Sequence, residues 1–89
     1  MKMLIADDDI ATIEMIEHNF DWKKLKIQEI FSAYNGSAAQ QIIEREQPDV
    51  VLCDIGMPQC DGLQVLQWIH ENKVDTEFIF LTCYASFDY

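Results

Sequence analysis

Eighty-nine residues fit one domain and not two. Sixteen acidic against six basic residues leave a net charge of -10, which repels phosphate backbones and argues against nucleic-acid binding by this segment. No apolar run approaches the ~20 residues needed to span a bilayer, and the start, Met1-Lys2-Met3-Leu4-Ile5-Ala6, turns acidic at once and is no signal peptide. Cys53, Cys60 and Cys83 are an odd count without CxxC spacing, which suits neither a disulfide scaffold nor zinc. They read as reduced thiols in a cytoplasmic protein.

Lys2 to Ala6 is a short apolar run, a buried strand that ends at Asp7-Asp8-Asp9. Ile10, Ile13, Ile16 and Phe20 then recur at helical spacing, and the acidic residues at the start of that helix suit the positive end of its dipole. Lys26 to Phe31 alternates loosely as a second strand; Asn35-Gly36 breaks it and Ser37 is the expected N-cap of the next helix. Ala38, Ala39, Ile42 and Ile43 form that helix's buried stripe, and Pro48 ends it because the residue before a proline avoids helical geometry.

Asp49 to Cys53 is a third strand, apolar enough to be covered by helices on both faces, and Asp54 follows it. A loop runs through Met57-Pro58 to Asp61-Gly62, with proline and glycine read as loop geometry. Leu63, Leu66 and Ile69 make a further helix with Trp68 on its flank, and Phe78 to Leu81 is a fourth strand ending at Thr82. Trp22 and Trp68 read as half-buried packing, His18 and His70 as exposed bystanders. The order βαβαβαβ specifies an α/β fold, a doubly wound, flavodoxin-like parallel sheet with right-handed crossovers. A complete domain of this kind needs roughly 30 further residues, so residues 1–89 are expected to hold its first four strand units and to lack the last helix-strand-helix increment.

All strand C-termini of a parallel sheet share one edge, so Asp7, Asp8 and Asp54 can meet there. Carboxylates brought together raise one another's pKa unless a cation intervenes. Mg²⁺ takes one or two carboxylates, keeps several waters and accepts phosphoryl oxygens for the rest. A carboxylate beside such an ion can attack a phosphoryl group and form an aspartyl phosphate. Thr82, on the same edge, can donate its hydroxyl to a phosphoryl oxygen and so report the modification to its surroundings. Asp9 belongs to the helix start and contributes field more than ligation.

The segments Leu4-Ile5-Ala6-Asp7-Asp8-Asp9, Pro48 to Pro58, Asp61-Gly62 and Phe78-Ile79-Phe80-Leu81-Thr82 together resemble the receiver domain of bacterial two-component response regulators. The resemblance runs from residue 2 to the end. It implies Asp54 as phosphoacceptor, Asp7 and Asp8 as the acidic Mg²⁺ pocket, the Gly56 carbonyl as a backbone metal ligand and Thr82 as the switch hydroxyl. It also implies that Gly56 and Tyr84 tune the lifetime of the phosphorylated state, with Tyr84 shielding the acyl phosphate. Asp21-Trp22 and Thr82 to Tyr89 look like receivers fused to AraC-type helix-turn-helix output domains, which would make the intact protein a transcription factor that contacts DNA through another domain.

The expected partner is a sensor histidine kinase, and the domain is not expected to be an enzyme acting on an external metabolite. In the family, a lysine after the fifth strand contacts the phosphoryl group and an aromatic residue on that strand partners the threonine; both would lie beyond Tyr89. A sheet face and a strand edge left uncovered would invite homo-oligomerisation. Two other functions compete. A phosphatase of the haloacid-dehalogenase type needs a second aspartate two residues after the nucleophile, where this chain has Gly56. A receiver-like interaction module would work through its surfaces without being phosphorylated.

Overall fold

Strands and helices alternate along the chain in a computed structural model that describes residues 1–57 and 61–81. The elements are β1 (Lys2–Ala6), α1 (Ile10–Asn19), β2 (Glu29–Ala33), α2 (Gly36–Glu46), β3 (Val50–Asp54), α3 (Gly62–Glu71) and β4 (Glu77–Leu81). The four strands form one parallel sheet in the order β2-β1-β3-β4. Each pair of strands consecutive in the chain is joined by a helix, the crossover that parallel strands require.

Alternation along the strands decides which helix each side chain meets. Leu4, Ala6, Val51 and Cys53 point to one face and pack with Ala39 and Ile43 of α2 and Val65 and Ile69 of α3. Met3 and Ile5 point to the other and pack with Ile13 and Ile16 of α1. Both faces of β1 are therefore sealed. β3 is sealed on one face only: Val51 and Cys53 are buried, whereas Val50 and Leu52, on the α1 side, are partly covered. Among the described elements a single helix covers that face, and Ile10, Met15 and Phe20 remain exposed on it. β4 is an edge strand whose described pairing is with β3 alone.

Several boundaries differ from the sequence expectation, each for a local reason. β2 starts at Glu29, not Lys26, because Asp21 to Lys26 form a hydrogen-bonded turn. Lys26 takes φ 62°, which no strand tolerates, and Trp22 C=O accepts from Ile27 N–H at 2.9 Å to close the turn. α1 ends at Asn19, so Phe20 falls off the helical stripe and stacks with Trp22 at a centroid distance of 5.2 Å. The cap of α2 is Asn35, not Ser37: the Asn35 side chain accepts from Ala38 N–H at 2.8 Å. On α3 the buried stripe is Val65 and Ile69, with Leu63 turned to solvent. Asp61 starts this helix with a reciprocal capping box, accepting from Gln64 N–H while its own N–H donates to Gln64 Oε1, both at 2.9 Å.

Pro48 ends α2 as expected and is itself fully buried, with Gln47 before it in the left-handed region at φ 49°. Of the three cysteines, Cys53 is buried, with its Sγ donating to the Asp54 carbonyl at 3.4 Å; Cys60 and Cys83 lie outside the described residues. No helix among the described residues is long and apolar enough to cross a membrane.

The capping geometry separates two neighbouring residues by experiment. Asn35→Ala should lower stability by about 1 kcal/mol, the usual worth of an N-cap side chain, while Ser37→Ala should change it by no more than about 0.5 kcal/mol, as for an exposed substitution away from special features. Urea denaturation of both variants checks this.

Candidate functional site

The register of the two central strands sets the geometry. β1 and β3 run in parallel with Ala6 opposite Cys53 as their last pair. The next residue on each strand is Asp7 and Asp54, so both carboxylates leave the sheet at the same level and on the same side, the one that α1 packs against. Asp8 follows Asp7 in the β1–α1 loop. One carboxylate oxygen from each of Asp7, Asp8 and Asp54 lies within 4.8 Å of the others.

The three residues are differently exposed. Asp7 is buried, at 6% relative exposure, Asp54 is half-buried and Asp8 faces solvent. Asp7 is also held by its neighbours: its N–H donates to the Ala33 carbonyl at 3.0 Å, carrying the β1–β2 pairing one step past the strand, and its Oδ1 accepts from Asp9 N–H at 2.9 Å. Asp9 turns the other way. It sits at the helix start as expected, and its side chain caps α1, accepting from Ala11 N–H and from the Thr12 hydroxyl, each at 3.0 Å.

Burial lifts the Asp7 carboxyl from its ordinary 3.8 to about 6. Desolvation is the main cause; the Asp9 N–H bond acts in the opposite direction, and the charges of Asp54 and Asp8 add to the rise. Mutual repulsion contributes to the shift, but loss of water around Asp7 outweighs it. No lysine, arginine or histidine among the described residues forms an ion pair with any of the three. The donor set is all hard oxygen, incompletely neutralised and partly open to solvent, which fits a hydrated divalent cation such as Mg²⁺. The cluster borders a groove of about 700 Å³ whose apolar wall is Ala11, Met15, Ile16, Phe20 and Leu81.

The other expected site residues divide into two groups. Gly56 follows β3 by two residues, is exposed, and has open space where a Cβ would stand. Thr82 and Tyr84 lie outside the described residues, as do Pro58 and the stretch from 83 to 89; Leu81, the last residue of β4, pairs with Asp54. Met57 lies in a loop as expected, and its side chain is buried in the core. Gly62 does not provide the unusual backbone angles expected of it: no described glycine has positive φ. Its position is one where space is short, with its N–H donating to the Ile55 carbonyl at 2.8 Å.

The response regulator receiver domain family matches residues 3–89. The chain belongs to that family. It is 32% identical to the receiver domain of AraT, a response regulator from Geobacillus stearothermophilus, with a TM-score of 0.88 over 99% of this chain and 68% of that one. A two-component transcriptional regulator AraC from Clostridium phytofermentans is also 32% identical, with a TM-score of 0.87 over 97% of this chain and 67% of that structure. The transcriptional regulatory protein YesN of Bacillus subtilis is 31% identical over 88 residues, which are 99% of this chain and 24% of YesN. This receiver domain thus spans about a quarter of that curated relative.

The raised pKa of Asp7 gives a stability signature with a definite sign. Between about 3.8 and about 6 the folded state holds a proton that the unfolded state has released. This group's contribution is therefore full below the lower value and is lost as pH rises through the upper one. Without metal the receiver should melt at a higher temperature near pH 5 than near pH 7.5. Mg²⁺ should recover much of the loss at the higher pH, by binding the ionised folded state. Asp7→Asn should flatten the pH dependence and abolish the Mg²⁺ response; thermal melts by circular dichroism check both.

Proposed function

We propose that this receiver takes a phosphoryl group onto Asp54 from the phosphohistidine of a sensor histidine kinase. The observation that carries the proposal is the convergence of Asp7, Asp8 and Asp54 at one sheet edge, with one oxygen of each within 4.8 Å of the others. In the transfer an Asp54 oxygen attacks phosphorus, an acyl phosphate bond forms, and the bond to the histidine nitrogen breaks with its electron pair leaving on nitrogen. Asp7, Asp8 and Asp54 would hold Mg²⁺, with the Gly56 carbonyl as a further ligand. The ion would supply charge neutralisation as negative charge gathers around the phosphoryl oxygens.

The residues divide the work by their placement. Asp54 is half-buried, so its carboxylate remains reachable by a phosphodonor. Asp7, buried and tied to Asp9 and Ala33, is the rigid member of the set, and Asp8 is the solvent-facing one. We assign the switch hydroxyl to Thr82, and tuning of the acyl phosphate's lifetime to Gly56 and Tyr84. The role is signalling in the cytoplasm and not turnover of an external metabolite. The likeness to AraT and to the AraC-type regulator supports a transcriptional output delivered by a separate DNA-binding domain, since a charge of -10 keeps this segment itself away from DNA.

Intact-mass analysis after incubation with acetyl phosphate tests the proposal. A single phosphoryl adduct should form with Mg²⁺, vanish with a chelator and be absent in Asp54→Asn. Asp8→Asn should slow its formation at least tenfold, a transition-state loss of about 1.4 kcal/mol or more. An adduct that persists in Asp54→Asn, or none on the folded wild type, would favour a module acting through its surfaces alone.

A further inference from the structure

The first residue of α3 lies directly against the strand end that carries Asp54. A Cβ built on Gly62 would overlap the Asp54 carbonyl oxygen, and would stand 2.9 Å from Ile55 Cα and 3.1 Å from the Asp54 carbonyl carbon. All three obstacles are backbone atoms, so no change of rotamer relieves the clash. Gly62 has no positive φ, so the requirement for glycine is one of space and not of conformation. Gly56, six residues earlier, has nothing within 4 Å of the same built atom, so the crowding is particular to position 62.

Neither side of this contact can move away cheaply. α3 is fixed by Val65 and Ile69, both in the core beside α2, and by the capping box of Asp61 and Gln64. The strand end is held by its pairing with β4, Asp54 against Leu81, and by the Gly62 N–H bond to the Ile55 carbonyl. Close-packed interiors transmit a displacement of this size and do not absorb it.

We infer that Gly62 is a positioning residue for the phosphoacceptor: the missing side chain at the start of α3 fixes where the Asp54 backbone sits, and through it where the Asp54 carboxylate meets Asp7 and Asp8. The inference rests on the phosphoacceptor reading of Asp54 given above. A methyl group at position 62 pushes the end of β3 away from α3 and misplaces one member of the acidic set relative to the other two.

The test compares Gly62→Ala with Gln64→Ala, which removes half of the capping box and weakens the start of α3 without placing an atom near Asp54. In metal-free protein, Gly62→Ala should shift the backbone amide resonances of Asp54 and Ile55 together with those of Asp7 and Asp8, whereas Gln64→Ala should leave all four in place. Mg²⁺ affinity by calorimetry should fall at least tenfold in Gly62→Ala and stay within about twofold in Gln64→Ala, a split that loss of stability alone does not produce. Unmoved Asp54 and Ile55 resonances, or affinity losses that track stability in both variants, would overturn the inference. Should Gly62→Ala fail to fold, hydrogen exchange at the Gly62 amide of the unaltered protein serves instead. Coupling between two sites is reciprocal, so Mg²⁺ should slow that exchange severalfold, and an unchanged rate would overturn the inference. The metal-free resonances read the contact directly, so a wild type that bound no Mg²⁺ would refute the phosphoacceptor reading and leave the positioning question answerable.

Discussion

Parallel pairing of β1 with β3 obliges acidic side chains to share one edge of the sheet, and the rest of the molecule is arranged around that obligation. With Ala6 opposite Cys53, the chain has no freedom to separate Asp7 from Asp54 short of breaking the register. A one-residue slip of β3 would also send Val51 and Cys53 to the wrong face, so the hydrophobic pattern that stabilises the fold enforces the charge cluster as well. Two like charges about 4 Å apart repel by about 4 kcal/mol at the effective dielectric typical near a protein surface. That is a large fraction of the 5–15 kcal/mol that typically holds a domain together. Water screens the exposed Asp8, but the buried Asp7 has little recourse except a proton or a cation.

The surrounding structure keeps this unfavourable cluster in place. β1 is the strand whose two faces are both sealed, and Asp7 is pinned through its own N–H and through Asp9. Asp9 is spent on the helix cap, which removes a fourth carboxylate from the cluster and orients α1. On the other strand, α3 closes against the backbone of Asp54 and Ile55. Local instability tolerated at one site, with consistent packing elsewhere, is the usual mark of a functional position. Here it amounts to a sheet edge whose converging carboxylate oxygens suit a hard cation.

The sheet was legible because each strand is a compact apolar run with turn residues at its ends, and the βαβ order allows few topologies. The acidic site was legible for the same reason: strand ends can be read from Ala6-Asp7 and Cys53-Asp54 without knowing the packing. What escaped the sequence was decided by side-chain reach and by tertiary contacts. Asn35 and Ser37 are both acceptable caps by residue type, and only the loop geometry puts the Asn35 oxygen on the Ala38 amide. Lys26 to Phe31 had strand-like alternation, but the turn through Trp22 and Ile27 consumed its first residues. Leu63 is apolar and still faces solvent, because α3 packs on the sheet through Val65 and Ile69. The reason for glycine at position 62 is a distance to another backbone segment, which no local pattern encodes.

The central claim is that one cation is held between the ends of β1 and β3. Mn²⁺ can stand in for Mg²⁺ at oxygen sites and broadens nearby amide resonances, so substoichiometric Mn²⁺ in an NMR titration locates the ion directly. The account predicts selective broadening centred on Asp7, Asp8, Asp54 and Gly56, relieved by excess Mg²⁺. Broadening spread across the acidic surface at Glu14, Glu44 and Glu71, with no preference for that sheet edge, would contradict it.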